Sequence, residues 1–382
     1  MKMNDINDNA IDLLEKLIIC KSVTPNDDGC QEVIGNFLKN IGFSVKEKKY
    51  EEVNNLIARY GSEDPVFAFV GHTDVVPIGN INDWKSDPFV LTDINEKLCG
   101  RGTSDMKGSI ACMMAAVNNF INKNKNFKGS IMFILTSDEE GPAQNGIKRL
   151  VNENDLADHR IDMCLIGEPS CTKDIGDTIK NGRRGSLSGE LLIKGIQGHV
   201  AYPHNAQNPI HTFAPVLQKL ISEEYDKGNN FFPPTSFQIS NLNSGVGSTN
   251  VIPGTLSMSF NFRYSTETNV GEIKSHVVDI LNESKLKYEI EWDHSGEPYL
   301  TEKSHLLEYC EYAIENVMSI KPKISTDGGT SDGRFMAKIC NQVIEFGLIN
   351  ESIHKVNEYT TKKDIINLSR IYNEILNKIF LN

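Results

Sequence analysis

The chain has 382 residues, 39% of them apolar and 24% charged, an ordinary globular composition that excludes collagen-like and disordered classes. Asp and Glu outnumber Lys and Arg by 51 to 39. The resulting net charge of −12 disfavours a nucleic-acid backbone or an anionic membrane as main partner, though a local basic pocket could still take an acidic small molecule.

The first residues carry one early Lys and then acids, without the basic and apolar regions of a signal peptide, and no apolar run of about 18 residues follows anywhere. A cytoplasmic protein is therefore expected. Ile6, Ile11, Leu13, Leu14, Leu17 and Ile18 form a helical stripe over 6–18. A second helix fits 31–41, closed by Gly42, and strands fit 43–49, 55–60 and 66–71. The last of these, Val66-Phe67-Ala68-Phe69-Val70, is continuously apolar, as a strand covered on both faces should be. Then follow a helix at 109–123, a strand at 130–136, a helix near 143–153 and a strand at 161–166. Alternating strands and helices predict an α/β layer with a mainly parallel sheet.

The pattern changes near 182. Strands fit 186–195, 235–242, 255–264 and 286–292, and helices fit 208–225 and 269–284. That order is β-α-β-β-α-β, the split βαβ arrangement. After about 295 the earlier style returns, with helices at 303–319 and 361–379 and a strand at 342–347. One domain is thus expected from 1–181 and 296–382, with a second, 182–295, inserted into it. Eight cysteines are dispersed without a C-x-x-C pair, which predicts buried reduced thiols rather than disulfides or a thiolate zinc site.

Five short segments carry candidate chemistry. Gly71-His72-Thr73-Asp74-Val75-Val76-Pro77 follows a buried strand, where open α/β sheets place ligands. His72 can bind a metal there and Asp74 can accept a hydrogen bond from its ring; alone, the pair could equally be structural. Gly100 to Gly108 forms a tight loop into a helix, and Asp105 by itself could be an N-cap. Ser137-Asp138-Glu139-Glu140-Gly141 ends another strand. It reads either as a solvated turn or as one metal ligand beside one general base. Gly167-Glu168-Pro169-Ser170 ends a third strand, and His354 follows a fourth. Together His72, Asp105, Glu140, Glu168 and His354 form a nitrogen and oxygen donor set. It suits zinc, cobalt or manganese rather than copper or an iron–sulfur cluster. Five ligands exceed one tetrahedral site but fit two ions roughly 3.5–4 Å apart that share a carboxylate.

These strings resemble the M20 family of co-catalytic zinc peptidases and deacylases over nearly the whole chain. Further strings match the members that act on succinylated diaminopimelate: Gly182-Arg183-Arg184-Gly185-Ser186, Gly198-His199-Val200-Ala201-Tyr202-Pro203-His204, Gly328-Gly329-Thr330-Ser331-Asp332-Gly333-Arg334-Phe335 and Ile353-His354-Lys355-Val356-Asn357-Glu358. The resemblance implies a zinc-exopeptidase-like catalytic domain, a mixed, mainly parallel sheet with helices on both faces, plus a ferredoxin-like dimerisation or lid insert. It implies two divalent metal ions, zinc with cobalt able to substitute. Asp105 would bridge them, His72 and Glu168 completing one site and Glu140 and His354 the other. Glu139 matches the general base, Asp74 the carboxylate that orients His72, and the Asp105–Met106 peptide would be cis. His199, by sequence alone a surface histidine, matches an oxyanion donor supplied in trans across a homodimer. Arg183, Ser186, Tyr202, Asn250, Arg263 and Thr330 match positions that hold an anionic substrate. The implied activity is hydrolysis of N-succinyl-LL-2,6-diaminopimelate. Another deacylase of the family, acting on acetylornithine or acylated amino acids, and a scaffold dimer without catalysis stay open. One departure is Leu348, where the family pattern has a proline after the glycine.

Overall fold

Val66–His72 and Ser130–Thr136 are buried along their whole lengths. Strands apolar on both faces can only sit inside a sheet covered twice. In this computed structural model, which describes residues 5–381, the two run parallel, with Phe67 opposite Ile131 and His72 opposite Thr136. Met163–Ile166 lies parallel on the other side of 66–72, and Val343–Glu345 parallel beyond it. The hairpin Ser44–Tyr50 and Val53–Tyr60 joins antiparallel. The mixed eight-stranded sheet has the order 44–50, 53–60, 130–136, 66–72, 163–166, 343–345, 178–180, 323–325.

Helices pack on this sheet through apolar stripes. Leu13, Leu14, Leu17 and Ile18 come from Asp5–Ile18, Ile110, Met113 and Val117 from Lys107–Lys123, and Leu368, Ile371 and Ile375 from Lys362–Phe380. The ring of Phe69 meets those of Phe133 and Tyr372 at 5.6 and 5.3 Å. The side chain of Ile6, expected in the first stripe, lies outside the described residues. Leu348 is fully buried in the same core. All eight cysteines are buried and none is paired in a disulfide.

Local differences from the sequence reading have local causes. The helix expected over 143–153 is only Ile147–Asn152. The Asp138 carboxylate accepts the N–H groups of Ala143, Gln144 and Asn145, which holds that stretch in a loop. Strands of three residues at Thr178–Lys180, Lys323–Ser325, Thr92–Ile94, Lys97–Cys99 and Tyr359–Thr361 add to the expected elements.

The chain divides into two compact units. The first holds the residues up to Gly182, Leu300–Ser325 and those from Ser331 on; the second holds Arg183–Tyr299 and Thr326–Thr330. The second unit is a four-stranded antiparallel sheet in the order 236–244, 255–264, 185–194, 287–296. Along Thr255–Tyr264 burial alternates, and Leu256, Met258, Phe260 and Phe262 pack against Phe213, Val216 and Leu220 of one helix and Ile273, Val277 and Ile280 of the other. This is the split βαβ arrangement. Among the described residues no helix is long and apolar enough to cross a membrane.

One polar contact ties the end of the helix Asp5–Ile18 to the start of the helix Lys107–Lys123. Lys107 is fully buried, and its Nζ donates to the carbonyls of Leu17 and Cys20 at 2.9 and 2.7 Å, capping the end of Asp5–Ile18. Lys107→Met keeps the apolar stem and strands both carbonyls. We expect a loss of about 2 kcal/mol of unfolding free energy, read by urea denaturation; an unchanged midpoint would refute the cap.

Candidate metal centre

Because 66–72, 130–136 and 163–166 are parallel, their carboxyl ends lie at one edge of the sheet, where such folds place ligands. His72 closes the first strand, Glu139 and Glu140 stand just past the second, and Glu168 just past the third. Asp105 comes from the loop ahead of Lys107–Lys123, and His354 from the loop that follows Val343–Glu345. The Asp105–Met106 peptide is cis. A Cβ on Gly71 would stand 2.3 Å from Met106 Cε, and one on Gly167 would stand 2.6 Å from the same atom. The Met106 side chain is thus seated between the two glycines that directly precede His72 and Glu168. Met106 Sδ also lies 3.4 Å from the backbone nitrogen of His72. A Cβ on Gly347 would stand 2.3 and 2.5 Å from the carbonyl oxygens of Gly167 and Glu168, so this strand end needs a bare backbone beside it.

The five predicted ligands come together around Asp105. His72 Nε2 stands 3.3 Å from Asp105 Oδ1 and 3.6 Å from Glu168 Oε1. His354 Nε2 stands 3.3 Å from Asp105 Oδ2 and 3.1 Å from Glu140 Oε1. Each carboxylate oxygen of Asp105 therefore faces its own imidazole, and each imidazole stands beside its own glutamate. His72, Asp105 and Glu140 present one ligand atom each within 4.8 Å of one another, and so do His72, Glu139 and Glu168.

The tautomer of His72 shows what belongs between these atoms. Its Nδ1 lies 2.9 Å from the backbone carbonyl of Asp74, which can only accept, so Nδ1 carries a proton, and once the ring is neutral Nε2 offers a lone pair. That lone pair faces carboxylate oxygens. His72 Nε2, Asp105 Oδ1 and Glu168 Oε1 are all buried without a hydrogen-bond partner. Orphaned acceptors aimed at each other are the pattern a cation satisfies, and nitrogen with carboxylate oxygens suits a divalent ion of the zinc type.

Here Asp74 differs from expectation. Its carboxylate is 3.6 Å from His72 Nδ1, and it is the Asp74 carbonyl that takes the ring's hydrogen bond. The carboxylate instead accepts the N–H groups of Glu139 and Glu140 at 3.3 and 3.1 Å. Asp74 thus holds Glu139 and Glu140 by their backbone.

Without a cation the cluster is electrostatically crowded. Burial pushes Glu139 well above the usual carboxylate range, helped by Asp332, Glu140 and Asp105 and opposed by His72. Glu168 is raised well above its usual range by burial and by Glu139 and Asp105. Hydrogen bonds to Asp105 and Glu140 raise His354 to about 10. Burial would raise Asp105, but His354 and His72 outweigh it and hold it low. Asp332 is a further buried charge that sequence reasoning missed, since nothing around it marks it as buried. Neither of its carboxylate oxygens is partnered, and burial raises it to about 7.

The remaining predicted residues belong to the second unit. His199 pairs with Val251 in a two-residue ladder and is exposed. Its Nδ1 accepts the Ala201 N–H at 3.0 Å, so the neutral ring carries its proton on Nε2. Tyr202 is exposed, its ring 5.7 Å from that of His199. Asn250 is exposed, accepts the Ser248 hydroxyl, and accepts the Val200 N–H through its carbonyl. Ser186 is buried and stands opposite Arg263 across two strands. Arg183 donates through Nη1 to the Asp327 carbonyl at 2.7 Å. Gly328, with φ +110°, leaves room for that guanidinium, since a Cβ would meet Nη1 at 2.2 Å. This fixes the short segment that ends at Thr330.

Comparison with known proteins agrees with this geometry. The model of peptidase family M20/M25/M40 matches residues 68–378. A protein of Nitrosomonas eutropha named succinyl-diaminopimelate desuccinylase is 49% identical over 372 residues, 97% of this chain and 98% of that one. Among solved structures, an M20 family metallo-carboxypeptidase of Sulfolobus solfataricus has a TM-score of 0.84 at 17% identity, covering 97% of this chain and 99% of that one. A dinuclear metal binding peptidase of the same family from Bacillus subtilis has a TM-score of 0.73 at 16% identity, covering 97% of each chain. Those two likenesses speak for the fold. With the family model matching most of its length, and a relative at nearly half identity spanning almost the whole of it, this chain belongs to peptidase family M20/M25/M40.

Proposed function

We propose that the chain is a metal-dependent amide hydrolase that cleaves N-succinyl-LL-2,6-diaminopimelate to succinate and LL-2,6-diaminopimelate, in the synthesis of lysine and meso-diaminopimelate in the cytoplasm. The observation that carries the chemistry is the meeting of two imidazoles with the two oxygens of Asp105. Identity along nearly the full chain to a relative of that printed name supports the substrate.

His72, Glu168 and Asp105 Oδ1 would hold one ion, and Asp105 Oδ2, Glu140 and His354 the other, with zinc the metal and cobalt able to substitute. When bound, such ions polarise an amide carbonyl and lower the pKa of water. Glu139 takes a proton from the attacking water as its oxygen adds to the amide carbon. It returns that proton to the nitrogen as the carbon–nitrogen bond breaks, so succinate and the free amine leave with atoms balanced. Asp74 keeps Glu139 in register by its backbone. Arg183, Arg263, Ser186, Tyr202, Asn250 and Thr330 hold the carboxylates of the substrate. The chain acts as a homodimer through the inserted unit, and His199, donating through Nε2–H, steadies the oxyanion of the partner's site.

Glu139→Gln removes a base and no ligand. We expect turnover to fall by at least about 10²-fold with metal content unchanged, whereas Glu140→Gln loses metal. Equal metal loss in both, by elemental analysis after dialysis, would show the pair misassigned.

Metal uptake must displace protons. In the metal-free protein His354 stays protonated up to about pH 10, above its unfolded value, so at pH 8 zinc binding should release at least one proton. Calorimetry in two buffers of different ionisation enthalpy reads this directly, and identical heats would contradict it. The same sign makes the metal-free fold lose stability as pH rises from the ordinary histidine range through about 10.

His199→Ala should lower turnover by about 10²–10³-fold. Mixing it with Glu139→Gln and exchanging subunits should return up to half the wild-type activity per heterodimer. One site then combines intact Glu139 with the partner subunit's intact His199. No recovery despite verified exchange would place His199 in its own chain's site.

A further inference from the structure

The Glu358 carboxylate is 1% exposed and serves four donors. Oε1 accepts the backbone N–H groups of Ser104 and Asp105 at 2.9 and 3.0 Å. Oε2 accepts the N–H of Gly102 at 3.0 Å and Arg101 Nη1 at 2.8 Å. The carbonyl of Glu358 accepts the N–H of Gly100. One residue thus gathers the amides of Gly100, Gly102, Ser104 and Asp105, in the loop that delivers Asp105. Arg101, equally buried, donates onward to the carbonyls of Lys355 and Pro77 at 3.1 and 3.2 Å.

Glu358 also stands next to Tyr359, which with Ser352 closes the turn that carries His354. Ser352 Oγ donates to the Tyr359 carbonyl and accepts the Tyr359 N–H. Within the turn His354 and Asn357 both have φ +59°, a conformation non-glycine residues hold only when their surroundings dictate it. Asn357 is pinned by the Lys85 N–H at 2.7 Å. The loops of Asp105 and His354, some 250 residues apart in sequence, therefore meet at one carboxylate.

We propose that Glu358 is a positioning residue: by holding the Ser104 and Asp105 amides it sets Asp105 against His354, and so sets the affinity of the metal those two residues share. This rests on the reading of both as ligands. A backbone shift at 104–105 moves both oxygens of Asp105 together, whereas a carboxylate that merely neutralised Arg101 would leave them in place. Partners behind the ligands typically change metal affinity by about 10- to 100-fold.

Two double variants separate these roles, because replacing both members of a buried ion pair is tolerated where breaking it is not. Glu358→Gln with Arg101→Met keeps an oxygen acceptor for the two amides; Glu358→Met with Arg101→Met removes it. We expect cobalt(II) affinity, by chelator competition, to fall at least tenfold in the second and to stay within about threefold of wild type in the first. The visible absorption of bound cobalt should shift only in the second. Equal affinities and spectra in the two folded proteins would overturn the proposal. If the second does not fold by circular dichroism, Glu358→Asp decides. It keeps the charge beside Arg101 but withdraws the acceptor by one methylene, and wild-type cobalt affinity there would overturn the proposal. Asp105→Asn and His354→Ala test the underlying ligand reading. If these leave cobalt affinity intact, that reading fails; if they weaken it while the Glu358 variants match wild type, the positioning role alone fails.

Discussion

Four carboxylates and two imidazoles crowd one edge of a buried sheet, and the rest of the first unit is arranged to hold them there. Like charges at such separations repel strongly where water is scarce. Protons on His72 and His354 relieve part of the crowding in the metal-free molecule, at the expense of the lone pairs that the site presents to a cation. Two divalent ions would resolve the same conflict while leaving the imidazoles neutral. The apolar strands beneath serve this end: they are rigid, fully buried and parallel, so their ends cannot drift apart to ease the repulsion.

The backbone geometry behind the ligands is equally constrained. Gly71 is bare because Met106 fills the space its side chain would take, and Gly167 because Met113 and Met106 together fill its own. Met106 is adjacent in sequence to Asp105, Gly71 to His72, and Gly167 to Glu168. One unbranched, polarizable side chain thereby touches the backbone beside Asp105, His72 and Glu168. Gly347 plays a matching part on the far side of Glu168. The glycine that precedes His72 or Glu168 is thus a packing requirement, not a mark of flexibility.

Much of this is legible in the order of the residues alone. Continuous apolar runs such as 66–70 and 131–135 mark the buried strands, and the polar residues that follow those runs mark the clustered side chains. What is not legible there is fixed by distant parts of the chain. The three-residue strands at 178–180 and 323–325 owe their conformation to each other, and no local pattern encodes that. Glu358 and Arg101 look like surface charges in sequence because their partners lie far along the chain. The motif around His72 points to the carboxylate of Asp74, yet the carbonyl of the same residue makes the contact, a distinction sequence does not carry. The helix expected over 143–153 is shortened because a single acceptor, Asp138, outcompetes helical pairing over its first turn.

The division of the chain also bears on how the molecule is made. Every strand and helix of the second unit's sheet lies between residues 183 and 299, so that layer can close on itself while residues 300–382 are still to be joined or still inside the ribosome. The first unit cannot. Its central strands need Val343–Glu345, its core needs Lys362–Phe380, and its cluster around Asp105 needs His354. During synthesis the inserted sheet therefore matures first, suspended between two halves of a catalytic layer.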